Sequence, residues 1–343
     1  MRAALLPAFG ADFVLTEVDA PKPGAGEVSL DVVACGAGLT LEHMRNGLMG
    51  GKPPMIMGHE IGGRIAQVGP GVSGWEIGDR VTTHFYLTCG ACDMCVNGHE
   101  SLCRKFRGLV GAVTQGAFAD QVVLPARNLV RAPDNVGLDV AGIVADAIAT
   151  PYHVAKDRIR IGAGDRIAVI GAGGGLGVHT LGVARAFGAI VIGVERDQAK
   201  LEALERGGHA DVLVDSSQPN WREALARASG TGLTAVIDTV VTTETMSAGA
   251  DALGARGALV ILGIGPKAEI KATPNSLMLK EAAIIGTRYC NRAEIAESLA
   301  LVSQGRVQPV IGARFDLTEI NAAFEAIRAS TVFGRVVVEV ARE

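Results

Sequence analysis

The chain has 343 residues, enough for two domains with separate cores. It is 48% hydrophobic and only 4% aromatic, with a formal net charge of -4, which gives no electrostatic reason to expect nucleic acid or an anionic membrane as partner. No basic, apolar leader stands at Met1, so no secretory signal is expected. The longest apolar window, Ile167 to Val194, carries His179, Arg185 and many glycines, which suits a buried βαβ unit better than a membrane span.

Residues 1 to about 150 lack a regular strand-helix alternation. Short β-rich runs such as Val28-Ser-Leu-Asp-Val-Val33 and Gly78-Asp-Arg-Val81 are separated by Gly and Pro turns, which predicts an irregular, barrel-like β domain. Within it, Cys89, Cys92, Cys95 and Cys103 stand at C-x2-C-x2-C-x7-C. Four thiolates this close can converge on one tetrahedral zinc with no open position, a structural site. Gly90, Asn97 and Gly98 supply turns for wrapping, which argues against four unrelated buried thiols; a redox CxxC pair is the alternative. So tight a cluster is unlike a disulfide framework, and a reducing cytoplasm is the expected compartment.

From Pro151 the pattern becomes alternating helix and strand. Ile167-Ala-Val-Ile170 reads as a strand buried on both faces, followed by Gly171-Ala-Gly-Gly-Gly-Leu-Gly177 and a helix stopped at Gly188. Ala189 to Val194 reads as a second strand ending at Glu195. Further strands are expected at Ala210–Val214, Ala235–Asp238, Gly257–Leu262 and Ala282–Gly286, so the sheet is parallel and doubly wound. The glycine spacing, Gly171-x-x-Gly174-x-x-Gly177, is not a strict GxGxxG, and a glycine cluster alone can be a tight turn. Its place between a strand and a helix, with an acid eighteen residues past Gly177, points to a dinucleotide site. There a side chain at Gly174 would hold the backbone off the pyrophosphate, and one at Gly177 would keep helix from strand, while the helix start faces the phosphates. Glu195 would bind the ribose hydroxyls and repel a 2′-phosphate, favouring NAD over NADP; Arg196 could instead grip that phosphate. Beyond Tyr289, helices at Ala293–Ser303 and near Ile320–Ala329 and a strand at Arg335–Val340 are expected to return to the first domain.

The motifs Gly58-His-Glu-x-x-Gly63, Gly78-Asp-Arg-Val81, the four-cysteine lobe, Gly116-Ala-Phe-Ala-Asp120 and the glycine turn with Glu195 and Lys200 make the whole chain resemble the zinc-containing alcohol dehydrogenases of the medium-chain dehydrogenase/reductase superfamily. The resemblance implies an α/β protein. A GroES-like catalytic domain would span 1–150 with its zinc lobe at about 84–105, and a Rossmann NAD-binding domain 151–288, with 289–343 returning to the first. It further implies an active site in the cleft between domains, a homodimer or homotetramer, and cofactor contacts from Thr150, Gly175, Leu176, Lys200 and Gly263 beside those named above.

The catalytic metal site departs from that family. A gapless match from Gly26 runs into Gly36-Ala-Gly-Leu-Thr-Leu41, placing Gly38 at the cysteine ligand and Leu41 at the acid that orients the ligand histidine. Leu39 stands where many members carry a basic phosphate contact. The resemblance keeps His59 as a ligand and Asp146 as the third, with Glu60 adjoining; two firm ligands are fewer than a catalytic zinc normally has, so its presence is doubtful. His59 could equally be an interior histidine donating to Asp146. Cys35 is out of register and reads as core. Thr40 and His43 fall where the family shuttles a proton, although Thr40 could simply cap a helix. Phe85 and Phe118 match pocket-lining positions.

The function expected is an NAD(H)-dependent oxidoreductase moving hydride between nicotinamide and a small, mostly apolar alcohol or carbonyl compound, with a degraded or absent catalytic zinc. The alternatives are a zinc-independent reductase of an activated C=C bond (enone, enal or enoyl thioester) and a non-catalytic nucleotide-binding protein.

Overall fold

The structure is a computed structural model that describes residues 1–343. Its contacts divide the chain into one unit made of Met1–Ala149 and Cys290–Glu343, and a second made of Thr150–Tyr289. No helix is long and apolar enough to cross a membrane.

The first unit is built on a seven-stranded sheet. In spatial order its strands are Ile311–Asp316, Arg335–Glu339, Glu27–Ala37, Glu60–Val68, Arg80–Thr83 and Leu129–Arg131, and Gln121–Pro125 also pairs with Glu27–Ala37. A smaller sheet runs Val14–Glu17, Arg2–Leu6, Met55–Ile56. The long central strand, Glu27–Ala37, buries Val28, Leu30, Val32 and Ala34, with register shifts against Glu60–Val68 between Ser29 and Leu30 and between Val32 and Ala34. Such bulges bend a strand and let one sheet curl into a barrel. The helix Leu138–Ile143 lies directly on Glu60–Val68: a β-carbon on Gly62 would run into the carbonyl of Leu138, so only glycine allows this approach.

The second unit is a six-stranded parallel sheet in the order Val212–Asp215, Ile190–Glu195, Arg166–Ile170, Leu233–Asp238, Leu253–Ile261, Ala283–Gly286. Strand order reverses between Arg166–Ile170 and Leu233–Asp238, the switch point at which such sheets bind ligands. Ile167, Ala168, Val169, Ile170, Val191, Ile192 and Val194 are buried, as a strand covered on both faces requires. The strand expected from Gly257 starts at Leu253, because an irregularity between Leu233 and Ala235 lets pairing begin earlier, where Gly232 and Gly254 pack backbone to backbone. The last strand, Ala283–Gly286, pairs on one side only.

Candidate active site

Three neighbouring strands of the first unit build the site. Glu60 opens Glu60–Val68 and pairs with Gly36; Arg335 opens the closing strand, where Val336 pairs with Ala37. One step along that antiparallel register, Arg335 faces Gly38. Residues 36 and 38 share a face of their strand because side chains alternate with period two. Both being glycine, a lane lies open across the strand, and the Arg335 guanidinium crosses it to Glu60. A β-carbon on Gly36 would strike Glu60 Oε2, and one on Gly38 would lie 2.7 Å from Arg335 Cζ and 2.5 Å from Nη1.

Arg335 Nε donates to Glu60 Oε2 at 3.0 Å, and Nη2 donates both to Glu60 Oε1 and, at 3.0 Å, to Asp146 Oδ2. Glu60 is wholly buried, and the Arg335 side chain is 8% exposed. Nη1 donates to no protein acceptor. Asp146 sits on Val144–Ile148, a wide helical turn of the kind that often aims a side chain at a functional site. Burial alone would lower the pKa of Arg335, but the two carboxylates hold it charged. Burial pushes Glu60 up to about 7, with Arg335 opposing the shift and Asp146 adding to it.

His59 precedes Glu60 and is fully buried, its ring 4.2 Å from that of Phe85. Gly58 turns the chain into it with φ +103, and a β-carbon there would press on Cys35 Sγ and on the Phe118 amide. Neither ring nitrogen of His59 has a hydrogen-bond partner. It is therefore not the satisfied interior histidine bonded to Asp146 that its sequence position allows. Burial lowers its pKa to about 4, so the imidazole is neutral near pH 7.

Donor atoms of His59, Glu60 and Asp146 lie within 4.8 Å of one another. Two unbonded nitrogens beside two carboxylates are attractive to a divalent cation, but the set is short of a donor and is shared with another cation. Gly38 supplies no donor, and both carboxylates already serve the guanidinium that covers Gly38. At about 4 Å and an effective dielectric of 20, Arg335 would repel a doubly charged ion by about 8 kcal/mol, which offsets the attraction of one of the two carboxylates. Cys35 does not replace the lost ligand: it is fully buried, its thiol lies against Gly58 and the carbonyl of Gly36, and burial raises its pKa.

The four-cysteine lobe is of a different kind. Sγ–Sγ separations of 3.6 Å (Cys92–Cys95), 3.9 Å (Cys92–Cys103) and 4.0 Å (Cys89–Cys95) match the edge of about 3.8 Å that follows from Zn–S bonds near 2.3 Å in a tetrahedron. The amides of Ala91 and Cys92 donate to Cys89 Sγ, and those of Cys89 and Lys105 to Cys103 Sγ, as suits thiolates holding a cation. None of the six cysteines is in a disulfide.

In the second unit the glycine turn fits a dinucleotide. A β-carbon on Gly177 would overlap the carbonyl of Gly171, which fixes how closely the helix Gly177–Ala186 meets the strand. One on Gly173 would meet Lys200 Cβ at 2.7 Å. Gly174 and Gly175 are partly exposed, and Leu176 at the N-cap offers no side-chain bond to the helix; the Val178 amide donates to the Gly174 carbonyl, and the Gly177 amide at the helix start remains for an anion. Glu195 accepts from the amides of Gly173 (2.9 Å), Arg196 (2.8 Å) and Asp197 (3.2 Å). Arg196 is exposed, Lys200 and Thr150 are buried, and a β-carbon on Gly263 would press on the carbonyl of Thr239. Asp238, not singled out in the sequence, shapes the neighbouring loop by accepting from the amides of Val240 and Val241 and from the Thr245 hydroxyl.

Other expectations are corrected. Thr40 caps nothing; it lies inside the helix Leu39–Arg45, whose N-cap is Gly38. Thr40 and His43, three apart on that helix, are both half-exposed, and Leu39 is exposed while Leu41 is core. Phe118 is fully buried and packs edge-on against Phe13 and Phe324. The main residue missed is Arg335.

A GroES-like unit with a four-thiolate lobe and a Rossmann-type unit with a phosphate-binding glycine turn define a nicotinamide-dependent oxidoreductase. Comparison with known proteins agrees. Residues 24–134 match the alcohol dehydrogenase GroES-like domain family, and residues 175–304 the zinc-binding dehydrogenase family. The chain is 32% identical to an alcohol dehydrogenase of Geobacillus stearothermophilus, over 99% of this chain and 100% of that one. It is 29% identical to an acryloyl-coenzyme A reductase of Metallosphaera sedula, over 98% and 99% of the two. The cobalt- and zinc-bound thermostable alcohol dehydrogenase from Pyrobaculum aerophilum shares the fold with a TM-score of 0.89 at 28% identity, covering 99% of each chain. The chain belongs to the zinc-type alcohol dehydrogenase family of the medium-chain dehydrogenase/reductase superfamily.

Proposed function

We propose that the protein is an NAD(H)-dependent oxidoreductase that interconverts a small, mostly apolar alcohol and its carbonyl compound without a catalytic metal ion. The observation that carries this reading is the buried, unpartnered imidazole of His59 beside Phe85 and the Arg335–Glu60–Asp146 network. NADH, held at the glycine turn and Glu195, would supply the hydride to the carbonyl carbon, and the substrate oxygen would take up a proton. His59, neutral and without a partner, is assigned the hydrogen bond to that oxygen, with Phe85 covering its ring. Thr40 and His43 are assigned the passage of the proton to solvent, which their helix-surface spacing suits. Glu195 favours NAD by meeting ribose hydroxyls and opposing a 2′-phosphate. The cysteine lobe is assigned one structural zinc, held by Cys89, Cys92, Cys95 and Cys103.

A second reading, reduction of an activated C=C bond, draws on the full-length similarity to acryloyl-coenzyme A reductase and on the missing metal ligand. An enone or enoyl thioester needs only modest polarisation of its carbonyl. Incubating the protein with NADH and matched ketone and enone substrates separates the two. Turnover of the ketone supports the first reading, turnover of the enone alone supports the second, and turnover of neither refutes both.

The oligomer is assigned as a homodimer or larger. The one-sided strand Ala283–Gly286 and exposed Met278 and Leu279 form an unpaired apolar edge that suits a second copy. Sedimentation or light scattering gives the mass. The absence of a disulfide among the six cysteines suits a reducing cytoplasm.

A further inference from the structure

We propose that His179 is a positioning residue of the dinucleotide site: its buried imidazole holds the Gly175 carbonyl inward and so turns the Leu176 amide outward, for a phosphate of the cofactor. The proposal rests on the dinucleotide reading of the glycine turn. It deepens that reading by naming what aims the donors.

Residues 171–177 include five glycines, so side chains do little to fix the peptide planes of the turn. Hydrogen bonds do it instead. A peptide unit is planar and trans, so the carbonyl of one residue and the amide of the next point in opposite directions. Holding a carbonyl therefore aims the N–H that follows it. Three successive carbonyls of the turn are held in this way. The Val178 amide donates to the Gly174 carbonyl at 3.1 Å, which aims the Gly175 amide. His179 Nδ1 donates to the Gly175 carbonyl at 2.7 Å, which aims the Leu176 amide. The Leu176 carbonyl accepts both the amide (2.9 Å) and the hydroxyl (2.8 Å) of Thr180, which aims the Gly177 amide. The amides of Gly175, Leu176 and Gly177 donate to no acceptor in the protein. Successive N–H groups presented together form a concavity for a phosphate oxygen, at the end of the helix whose dipole favours an anion.

Helix formation does not call for the imidazole. A carbonyl of a first helical turn accepts from the amide four residues on, as that of Leu176 does from Thr180, without help from a side chain. His179 is also wholly buried, and a buried polar ring costs free energy unless it is bonded. Its tautomer follows from its partner: a carbonyl only accepts, so Nδ1 carries the proton. What the ring adds is direction, because it ties the plane that bears the Leu176 N–H to a rigid, enclosed side chain.

The test uses the full-length, zinc-loaded protein and three probes. NADH and ADP-ribose carry the pyrophosphate, and adenosine carries none. Titration calorimetry reads each affinity, so nothing depends on turnover. His179→Leu and His179→Phe both remove the donor, two replacements being made in case one does not fold, while His179→Asn keeps an N–H near the place of Nδ1. The donorless variants should bind NADH and ADP-ribose more weakly by on the order of tenfold, the scale of one hydrogen bond to a charged group. Adenosine should stay within about twofold of the parent, as for a ligand that shares no partner with the altered residue. His179→Asn should recover most of the affinity for ADP-ribose. A role in packing alone would weaken all three probes alike or leave His179→Asn as poor as His179→Leu, and either result overturns the proposal. Crystals of the cofactor-free variants read the turn itself: the Gly175 carbonyl should lose its fixed direction in His179→Leu and keep it in His179→Asn, and a carbonyl unmoved in His179→Leu would also overturn the proposal. If the parent binds neither NADH nor ADP-ribose, the dinucleotide reading fails and takes the positioning role with it. Tight binding of both by parent and donorless variants alike overturns the positioning role alone.

Discussion

Gly38→Ala isolates the steric argument in one methyl group. Gly38 has φ -157 and ψ -174, extended backbone that alanine adopts without strain, so any penalty comes from contact. The new carbon would lie 2.7 Å from Arg335 Cζ and 2.5 Å from Nη1, whereas ordinary contact begins at 3.4 Å. The guanidinium must therefore retreat by roughly 0.7–0.9 Å, as overpacking forces a neighbour to shift. The Nη2 bond to Asp146, 3.0 Å long, then stretches past hydrogen-bond range if the shift lies along it. Overpacking costs about 1–3 kcal/mol, and complete loss of a buried pair costs about 3–5. A loss of about 2 kcal/mol is expected, lowering Tm by about 4–8 °C for a unit of roughly 200 residues. The assay is thermal unfolding followed by circular dichroism, repeated in the Arg335→Met background. There the obstacle is gone and the same alanine should cost less than about 0.5 kcal/mol, the scale of an unremarkable substitution. Equal losses in both backgrounds would show that Gly38 is needed for some reason other than Arg335.

Three further outcomes are expected. Cys103→Ser should release the structural zinc, bringing metal content from one per chain to none and lowering Tm, while Cys35→Ser leaves the metal count unchanged; elemental analysis decides, and retention of zinc by Cys103→Ser would break the four-thiolate assignment. Glu195→Gln replaces one carboxylate oxygen with a donor facing amides it should accept from, so about 1–3 kcal/mol of stability should be lost. NADH should bind more weakly and the preference against NADPH should shrink, which fluorescence titration reads; an unchanged NADH/NADPH ratio would remove Glu195 from cofactor selection. For His59 the folded pKa of about 4 lies below the ordinary 6.5, so the fold favours the neutral ring. That contribution is complete above pH 6.5 and is lost as pH falls towards 4, a total of about 3 kcal/mol from about 2.5 pH units. Acid unfolding of His59→Asn should lack this component, and identical pH slopes for the two proteins would refute it.

What the sequence disclosed is what lies close along the chain. The cysteine lobe spans fifteen residues, and its thiols meet because Gly90 and Gly98 take positive φ in the turns between them. The glycine turn is likewise local: Gly177 meets Gly171 six residues away, so spacing alone carries the information. The packing of Phe118 was out of reach because an aromatic shows its size in sequence but not its facing; it lies against Phe13 and Phe324, one of them 206 residues away. Arg335 was out of reach for the same reason, since it lies 275 residues from Glu60 and meets it only through the pairing of three strands.

The consequence for Gly38 is more than a missed contact. Read locally, a glycine at a ligand position is a deletion, because glycine has no donor atom. Read across strands, Gly36 and Gly38 are two clearances on one face, and removing a side chain from that lane admits a longer one from the neighbouring strand. The cation beside Glu60 and Asp146 comes from a strand whose sequence, Arg335-Val-Val-Val-Glu339, shows only an ordinary charged terminus. Glu60 and Asp146 would repel each other in a buried site with nothing between them, and the Arg335 guanidinium, bonded to both, offsets that repulsion. Its strand runs beside Gly36 and Gly38, so the side chain reaches both acids across the open face.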